Sequence, residues 1–255
     1  MYSDIYQNSH YDIIGYSCYC ANQTITRLRT LYAHQNNHVE RPIGTTSWFA
    51  LGVMGAYFYR LSLFLQYGLR FPIGVKGNED IIFMQKVGFC VQYIQYRNDF
   101  LYIYRMNPTS YTHTEKYDPN NADHVPHAWQ EVAEWAYSVG SFSAEQCDSW
   151  KRFCLKTAGA RILESTRGLA ESGVSYHAYK SFIEDSSHAL LFHYISQSFL
   201  SNWQAVDYKL FITSPLLFYL KYKLIGTVKH ILKQSLRIKH IRDIRERKAF
   251  PFTFT

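Results

Sequence analysis

The sequence changes character near residue 120, and this change limits the folds that the chain can adopt. Before it, residues 12–20 have the composition of a strand, and residues 23–32 alternate in the way that a strand does. After it, Gly and Ser separate segments that favour helix, namely 128–139, 144–171, 176–199 and 203–211. We therefore predict an α/β fold, in which a mixed sheet is followed by a helical C-terminal region.

The first part of the chain holds further predicted elements. Residues 48–67 are apolar and predict a helix that is interrupted by a short strand at 56–59. Residues 91–95 and 100–104 predict two strands that pair with each other, and a turn is predicted at 107–110. The predicted regions of the whole chain are 1–118, 119–213 and 214–248.

The composition indicates a folded protein in a reducing compartment. Hydrophobic residues make up 47% of the chain and charged residues 18%, which argues against disorder. The five cysteines are odd in number and contain no C-x-x-C, so we predict free thiols rather than a disulfide framework or a zinc ribbon. The 22 Tyr and 17 Phe residues suit carbohydrate or membrane-interface contact, but they can also simply line strands and helices.

Charge and hydropathy bear on the location of the protein. The residues after Met1 lack the basic and apolar regions of a signal peptide, and no apolar run reaches about 18 residues. We therefore expect a cytoplasmic protein without a membrane-spanning helix. The net charge is +7, and residues 216–255 contain ten Lys/Arg and two Asp/Glu residues. The basicity therefore belongs to the tail of the chain.

Two adjacent carboxylates, Glu79 and Asp80, lie where a helix is predicted to begin. Asn78 precedes them and is a good N-cap residue, because its side-chain oxygen can accept a backbone N–H of the first turn. The helix dipole favours the ionised form of an acid in that turn, and an ionised, oriented carboxylate is what a general base requires. The alternative is plain capping, because acidic residues are enriched in first turns for the same electrostatic reason.

Short motifs surround this carboxylate pair in a specific order. They are YFYR at 57–60, LRFPIG at 69–74, NEDIIF at 78–83, LYIYR at 101–105 and NPTS at 107–110. The series resembles the C-terminal half of the catalytic domain of bacterial family 2 glycosyltransferases, which have the GT-A fold. Members that make capsules, exopolysaccharides or O-antigens show the same order at similar spacing. The resemblance extends over about 40% of the chain.

The resemblance implies transfer of a sugar from a nucleotide-sugar donor to a glycan or lipid-linked acceptor in surface polysaccharide biosynthesis. In the family the Asp of the pair is usually the general base, which here is Asp80, with Glu79 as its neighbour and a possible ligand of the acceptor sugar. Arg105, Ser110 and His113 fall where the family often places groups that meet the diphosphate or the metal. A guanidinium can hold two phosphate oxygens at once. The alternatives are a surface ion pair for Arg105 and a solvated loop for His113.

The sequence departs from the family at the donor site. The family holds Mn²⁺ or Mg²⁺ with an Asp-x-Asp motif, whereas none of the ten Asp residues here lies within two positions of another. No nucleotide-binding β/α unit precedes Asp12 either. The resemblance thus implies a divalent metal cofactor whose main ligands are missing, and we assign no metal-binding residue. We expect the acceptor-side half of an enzyme, from a truncated, split or misannotated gene, and we expect it to be inactive alone.

The tail contains a predicted amphipathic helix. Ser214 can cap it, and Pro215 fits its first position. Lys229, Lys233 and Arg237 occupy one side. The other side carries apolar residues within roughly 140° of arc, namely Leu217, Leu220, Leu224, Ile225, Val228, Ile231 and Leu232. Such a helix can lie on an anionic membrane, which here is the inner face of the plasma membrane. The alternative is that its apolar side packs on the body.

The sequence leaves two alternative functions and two histidine pairs to consider. A non-catalytic, membrane-peripheral interaction protein is the alternative to a glycosyltransferase, and a nucleic-acid-binding protein is a third, which we set aside because the body carries no binding motif. His34 and His38 have the spacing of a zinc helix but lack its Glu, so we predict a polar loop there. His124 and His127 flank Pro126 and also predict a loop.

Overall fold

A computed structural model gives the fold of the chain. It describes residues 10–22, 24–26, 28–46, 54–75, 78–107, 124–186, 188–197 and 200–237. Within these ranges, only the backbone is considered at 32, 196–197 and 232–237.

The described strands form one mixed sheet. The strands are β1 (Ile13–Ala21), β2 (Leu28–Tyr32), β3 (Asn37–Glu40), β4 (Tyr57–Tyr59) and β5 (Tyr93–Arg105). Their order is β2-β1-β5-β3, and β4 pairs with the first three residues of β1, on a different stretch from the residues that pair with β2. The β1–β5 pair is parallel, and the other pairs are antiparallel. The prediction of a mixed sheet followed by a helical region is confirmed.

Helices dominate the rest of the described chain. They are α1 (Leu61–Gln66), α2 (Glu79–Cys90), α3 (His124–Glu131), α4 (Trp135–Val139), α5 (Ala144–Glu171), α6 (Tyr176–Glu184), α7 (Ala189–His193), α8 (Asn202–Thr213) and α9 (Pro215–Arg237). The bounds of α5 are those that the sequence predicted. Ser143 begins this helix with a capping box, in which its side chain and that of Gln146 each accept a backbone N–H.

The predicted pair of strands at 91–95 and 100–104 is wrong, because β5 is one continuous strand. Its register along β1 jumps from Arg97 opposite Tyr16 to Phe100 opposite Ser17. Asn98 and Asp99 therefore form a bulge instead of a turn. Asn98 and Asp99 are polar residues of the kind that predict a turn. The long parallel pairing with β1, however, keeps the backbone extended on both sides of them.

Three other predictions need correction. The strand predicted from residue 23 begins at Leu28. The side-chain oxygen of Asn22 accepts the backbone N–H of Thr26, and its amide nitrogen donates to the Thr26 hydroxyl. These bonds form a local turn before the strand. The helix predicted over 176–199 is divided into α6 and α7. His124 and His127 lie on helix α3 and not on a loop, since a proline is tolerated in the first turn, where its missing N–H leaves no bond unmade.

Helix α2 lies between two hydrophobic clusters. Its Phe83, Met84 and Val87 pack against the sheet, whereas Ile82 and Phe89 pack against the helical cluster centred on α5. Every residue from Ile82 to Cys90 is buried. A helix that is buried all round is held rigidly, and this fixes the position of the two carboxylates at its start.

Candidate functional site

The candidate site lies at the first turn of α2, where Glu79 and Asp80 are the first two helical residues. The loop before it is anchored by Phe71, whose ring stacks on that of Phe83 at a centroid distance of 4.3 Å. Phe83 is buried in the cluster under the sheet. An aromatic contact of this kind ties Phe71 to helix α2.

Asn78 is not a side-chain cap, which corrects the prediction from the sequence. Its backbone has a left-handed conformation, with φ of 62° and ψ of 6°, and its side chain accepts no hydrogen bond from the first turn. Side-chain capping needs an extended backbone at that position. The carbonyl oxygen of Asn78 instead accepts the backbone N–H of Ile82 at 3.0 Å. Asparagine is one of the few residues that enter the left-handed region readily.

The two carboxylates have different environments. Asp80 is exposed, and its Oδ1 accepts the backbone N–H of Ile81 at 2.8 Å. The Oε2 atom of Glu79 is buried and has no hydrogen-bond partner among the described residues. A buried carboxylate oxygen without a partner is costly. Asp80 is therefore accessible to a reactant, whereas Glu79 carries an unused acceptor beside it.

Tyrosines under the sheet are mostly structural. The hydroxyl of Tyr59 donates to the Met54 carbonyl oxygen at 2.9 Å and lies 3.2 Å from the sulfur of Met84 on α2. Tyr57 is buried and lies 3.2 Å, oxygen to nitrogen, from the ring of His34. Burial lowers the pKa of His34 below its ordinary value. These rings thus pack the sheet against α2, as the alternative explanation of the high aromatic content predicts.

Arg60, which ends the YFYR motif, also has a structural position. Its guanidinium donates to the Tyr11 carbonyl oxygen at 2.9 Å and lies 3.7 Å from the Asp12 carboxylate. Asp12 in turn accepts the backbone N–H groups of Gln92 and Tyr93 at 2.8 and 3.0 Å. This network joins the start of β1 to the corner between α2 and β5. It therefore sets the position of α2, although the sequence did not identify Asp12 as important.

The predicted diphosphate ligands are not assembled around Asp80 in the described residues. Arg105 is the last residue of β5, is exposed, and forms no hydrogen bond or ion pair with Asp80. Ser110 and His113 lie outside the described residues. The role of Arg105 stays a prediction.

Metal ligation requires several donor atoms that converge on one point. No three His, Cys, Asp or Glu side chains of these residues form a group that could hold a metal ion. His34 lies before β3 and His38 lies on it, so the pair does not share a helix. Asp80 and Glu79 provide carboxylate oxygens, but a hard cation requires a larger oxygen set. The described residues therefore do not fit the Mn²⁺ or Mg²⁺ site of the family.

Helix α9 turns the side that carries Lys229 toward the body. The cap is confirmed, since the Ser214 hydroxyl oxygen accepts the N–H of Leu217 at 3.3 Å. Lys229 forms an ion pair of 2.8 Å with Glu171 on α5, so it lies on the side that faces the body. The side chains of Lys233 and Arg237 are outside the described set. In the part of the chain that the structure describes, no helix has the length and hydropathy needed to cross a membrane.

No protein-family model, no curated protein and no solved structure matches the chain.

Proposed function

We propose that this chain forms the acceptor side of a glycosyltransferase related to family 2, with a GT-A-like sheet and Asp80 as the general base. The observation that carries the proposal is the exposed Asp80 carboxylate on the first turn of a helix that is buried from Ile82 to Cys90. A general base must be both accessible to the reacting hydroxyl and fixed in orientation. The rigid packing of α2 supplies the second property.

The proposed reaction is a single displacement. An acceptor hydroxyl oxygen attacks the anomeric carbon of a nucleotide sugar, Asp80 takes the hydroxyl proton, and the nucleotide diphosphate leaves with the electrons of the broken bond. Glu79 is kept as a candidate ligand of the acceptor sugar, as the resemblance implies. The sequence contains no Asp-x-Asp, so the proposal assigns donor and metal binding to residues outside this chain. Arg105 is kept as a candidate diphosphate ligand.

The test joins the chain to a nucleotide-binding half of the same family and measures release of the nucleotide diphosphate from a panel of nucleotide sugars and lipid-linked glycans. Asp80→Asn should reduce the rate by roughly 100-fold or more, which is the usual contribution of a general base. Glu145→Gln is the matched control, because Glu145 is also an exposed first-turn acid, on α5. Equal rates for Asp80→Asn and the parent enzyme would remove Asp80 from the mechanism.

A second function is favoured by one observation. Leu217, Leu220 and Leu224 on one side of α9 are exposed, which suits a non-catalytic, membrane-peripheral interaction protein. This alternative predicts vesicle binding by the joined enzyme without any release of nucleotide diphosphate. The two functions are therefore separated by the transfer assay alone.

A further inference from the structure

Helix α9 packs on the body through aromatic residues. Phe218, Tyr219 and Tyr222 are buried, and Ile225 packs against the helical cluster. The hydroxyl of Tyr219 donates to the Val174 carbonyl oxygen at 2.7 Å. At 100° per residue these side chains all point to one side of the helix. The helix is therefore already anchored before any partner is considered.

The opposite side of α9 is aliphatic and uncovered. We call it the aliphatic stripe, and it consists of Leu217, Leu220, Leu224, Val228 and Ile231, which are between 45% and 66% exposed. At 100° per residue these five positions fall within about 80° of arc, directly away from the aromatic side. Of the predicted apolar arc, Ile225 packs on the body, whereas the aliphatic stripe is exposed. The aromatic side faces the body and the aliphatic side faces outward.

The charges near the stripe are positive. The described helix contains basic residues and no Asp or Glu from 215 to 237. Lys221 and Lys223 lie on the two flanks of the stripe by the helical repeat. Lys221 pairs with Asp207, while the ammonium of Lys223 lies 5.3 Å from the centroid of the Tyr219 ring. Long lysine side chains at the edges of an apolar face suit an interface where the stem meets lipid and the ammonium meets phosphate.

The dimensions of the stripe decide between a membrane and a second copy of the chain. The stripe offers five exposed apolar residues along a helix rise of about 21 Å. A stable protein interface uses about 20–30 residues on each partner. A bilayer surface has no such minimum, because binding strength follows the inserted apolar area together with attraction between basic residues and anionic lipid.

We propose that the aliphatic stripe of α9 inserts, parallel to the surface, into the interface of an anionic membrane, with Lys223 at the level of the lipid phosphates. The basic segment after the described helix adds to the attraction, since residues 238–248 contain five Lys/Arg and two Asp/Glu residues. This inference does not depend on sugar transfer.

Co-sedimentation of the full chain with vesicles tests the proposal. Vesicles of phosphatidylcholine and phosphatidylglycerol are compared with phosphatidylcholine alone. Leu220→Gln/Leu224→Gln should weaken binding to the anionic vesicles by roughly tenfold or more, because two inserted apolar side chains are lost. The matched control is Leu61→Gln/Leu65→Gln on α1, where the two leucines have the same spacing and are 71% and 74% exposed. Thermal unfolding of both variants verifies that each is folded.

A label measures insertion directly. All five native cysteines are buried, so a cysteine introduced at Leu224 can be modified selectively with an environment-sensitive fluorophore. Its emission should rise several-fold on addition of anionic vesicles, whereas the same label at Leu65 should show no change. Binding should also weaken when salt rises from about 0.1 to about 1 M, because the Debye length falls.

Three outcomes would overturn the proposal. Equal vesicle binding by the two double variants would show that the stripe does not insert. Equal binding to neutral and anionic vesicles would remove the electrostatic part. A dimer in the absence of lipid that Leu220→Gln/Leu224→Gln converts to a monomer, with vesicle binding unchanged, would identify a second copy of the chain as the occupant.

Discussion

Gly226 on α9 lies directly against the backbone carbonyl of Glu171 at the end of α5. A Cβ atom at position 226 would be 2.1 Å from that oxygen, well inside contact distance. Glycine therefore permits the two helices to approach closely at this point. The same end of α5 holds Lys229 through the Glu171 carboxylate. The orientation of α9, and hence the direction of its aliphatic stripe, depends on this contact.

Gly226→Ala should lower the free energy of unfolding by about 1–2 kcal/mol, because a backbone oxygen cannot move aside as a flexible side chain can. Helix propensity alone predicts the opposite sign, with alanine favoured by about 1 kcal/mol. Urea denaturation measures the difference, and Thr227→Ala, at the next and exposed position, is the control that should change stability by less than about 0.5 kcal/mol. A more stable Gly226→Ala variant would contradict the close approach.

The left-handed backbone at Asn78 predicts an order of stability that side-chain capping does not. Asn78→Gly should retain or slightly raise the free energy of unfolding, because glycine adopts this conformation freely. Asn78→Thr should lower it by about 1–2 kcal/mol, since a β-branched residue is strained at positive φ. Threonine is itself a good side-chain cap, so an unchanged Asn78→Thr variant in thermal or urea unfolding would favour capping.

Lys86 is buried and lies over the ring of Trp135, with its ammonium 5.5 Å from the centroid. The cation–π contact is worth at most about 2 kcal/mol, whereas taking an ammonium out of water costs several kcal/mol. Burial accordingly lowers the pKa of Lys86 below its ordinary value. Lys86→Met should therefore raise the free energy of unfolding by about 1 kcal/mol at neutral pH. Lys180→Met on the surface should change it little.

The pH dependence of this gain has a definite sign. Because the pKa of Lys86 is lower in the folded state, the unfolded chain binds more protons between the folded pKa and the ordinary value of 10.5. The cost of the charge is fully present below that window and disappears as pH rises through it. The stability difference between Lys86→Met and the parent protein should be largest at neutral pH and approach zero near pH 10.5. A difference that is constant with pH would show that packing, and not charge, is responsible.

Tyr222 and Lys221 on α9 both bond to the buried Asp207 on α8, and this cluster predicts alkaline sensitivity. Burial, followed by the Asp207 carboxylate, raises the pKa of the Tyr222 hydroxyl. The hydrogen bond to Asp207 raises the pKa of Lys221. In the unfolded chain the tyrosine ionises first, near its ordinary value of 10.0, so the protein loses stability as pH rises above that value.

Tyr222→Phe tests this cluster. At neutral pH the variant should be less stable by about 1 kcal/mol, because a buried hydrogen bond to a carboxylate is lost. Above pH 10 its stability should fall less steeply than that of the parent protein, since phenylalanine cannot ionise. Tyr137→Phe gives a surface comparison: the hydrogen bond of its hydroxyl to Asp148 raises the pKa of Tyr137 to about 12, but solvent screening should make its effect on stability smaller than that of Tyr222. Parallel pH curves for Tyr222→Phe and the parent protein would contradict the role of the tyrosine proton.

Local signals in the sequence were sufficient for several elements. The bounds of α5 follow from Ser143 and the helical pattern after it, and α9 begins at Pro215 behind its Ser214 cap. The short strand at β4 and the first strand were also predicted close to their observed positions. Each of these depends on residues within a few positions of one another, so neighbouring side chains decide the backbone.

Contacts between distant segments explain the errors. Parallel pairing with β1 keeps β5 extended through Asn98 and Asp99. The left-handed backbone at Asn78 is not revealed by the hydrogen-bonding capacity of its side chain. At the candidate site, the sequence identified Asp80 and Glu79 as a pair, but only packing shows which oxygen is accessible and which is buried without a partner among the described residues.

The sequence by itself determined that α9 is a helix with an aliphatic side, because a 3.6-residue repeat is a local property. It did not determine which side meets the body. Tertiary structure decided this through shape: the large rings of Phe218, Tyr219 and Tyr222 fill the helical cluster, and Gly226 admits the end of α5. Close packing favours the orientation in which the side chains fill the available volume, so the leucines lie on the exposed side of the helix. The same rule holds α2 in place and leaves Asp80 exposed at its start.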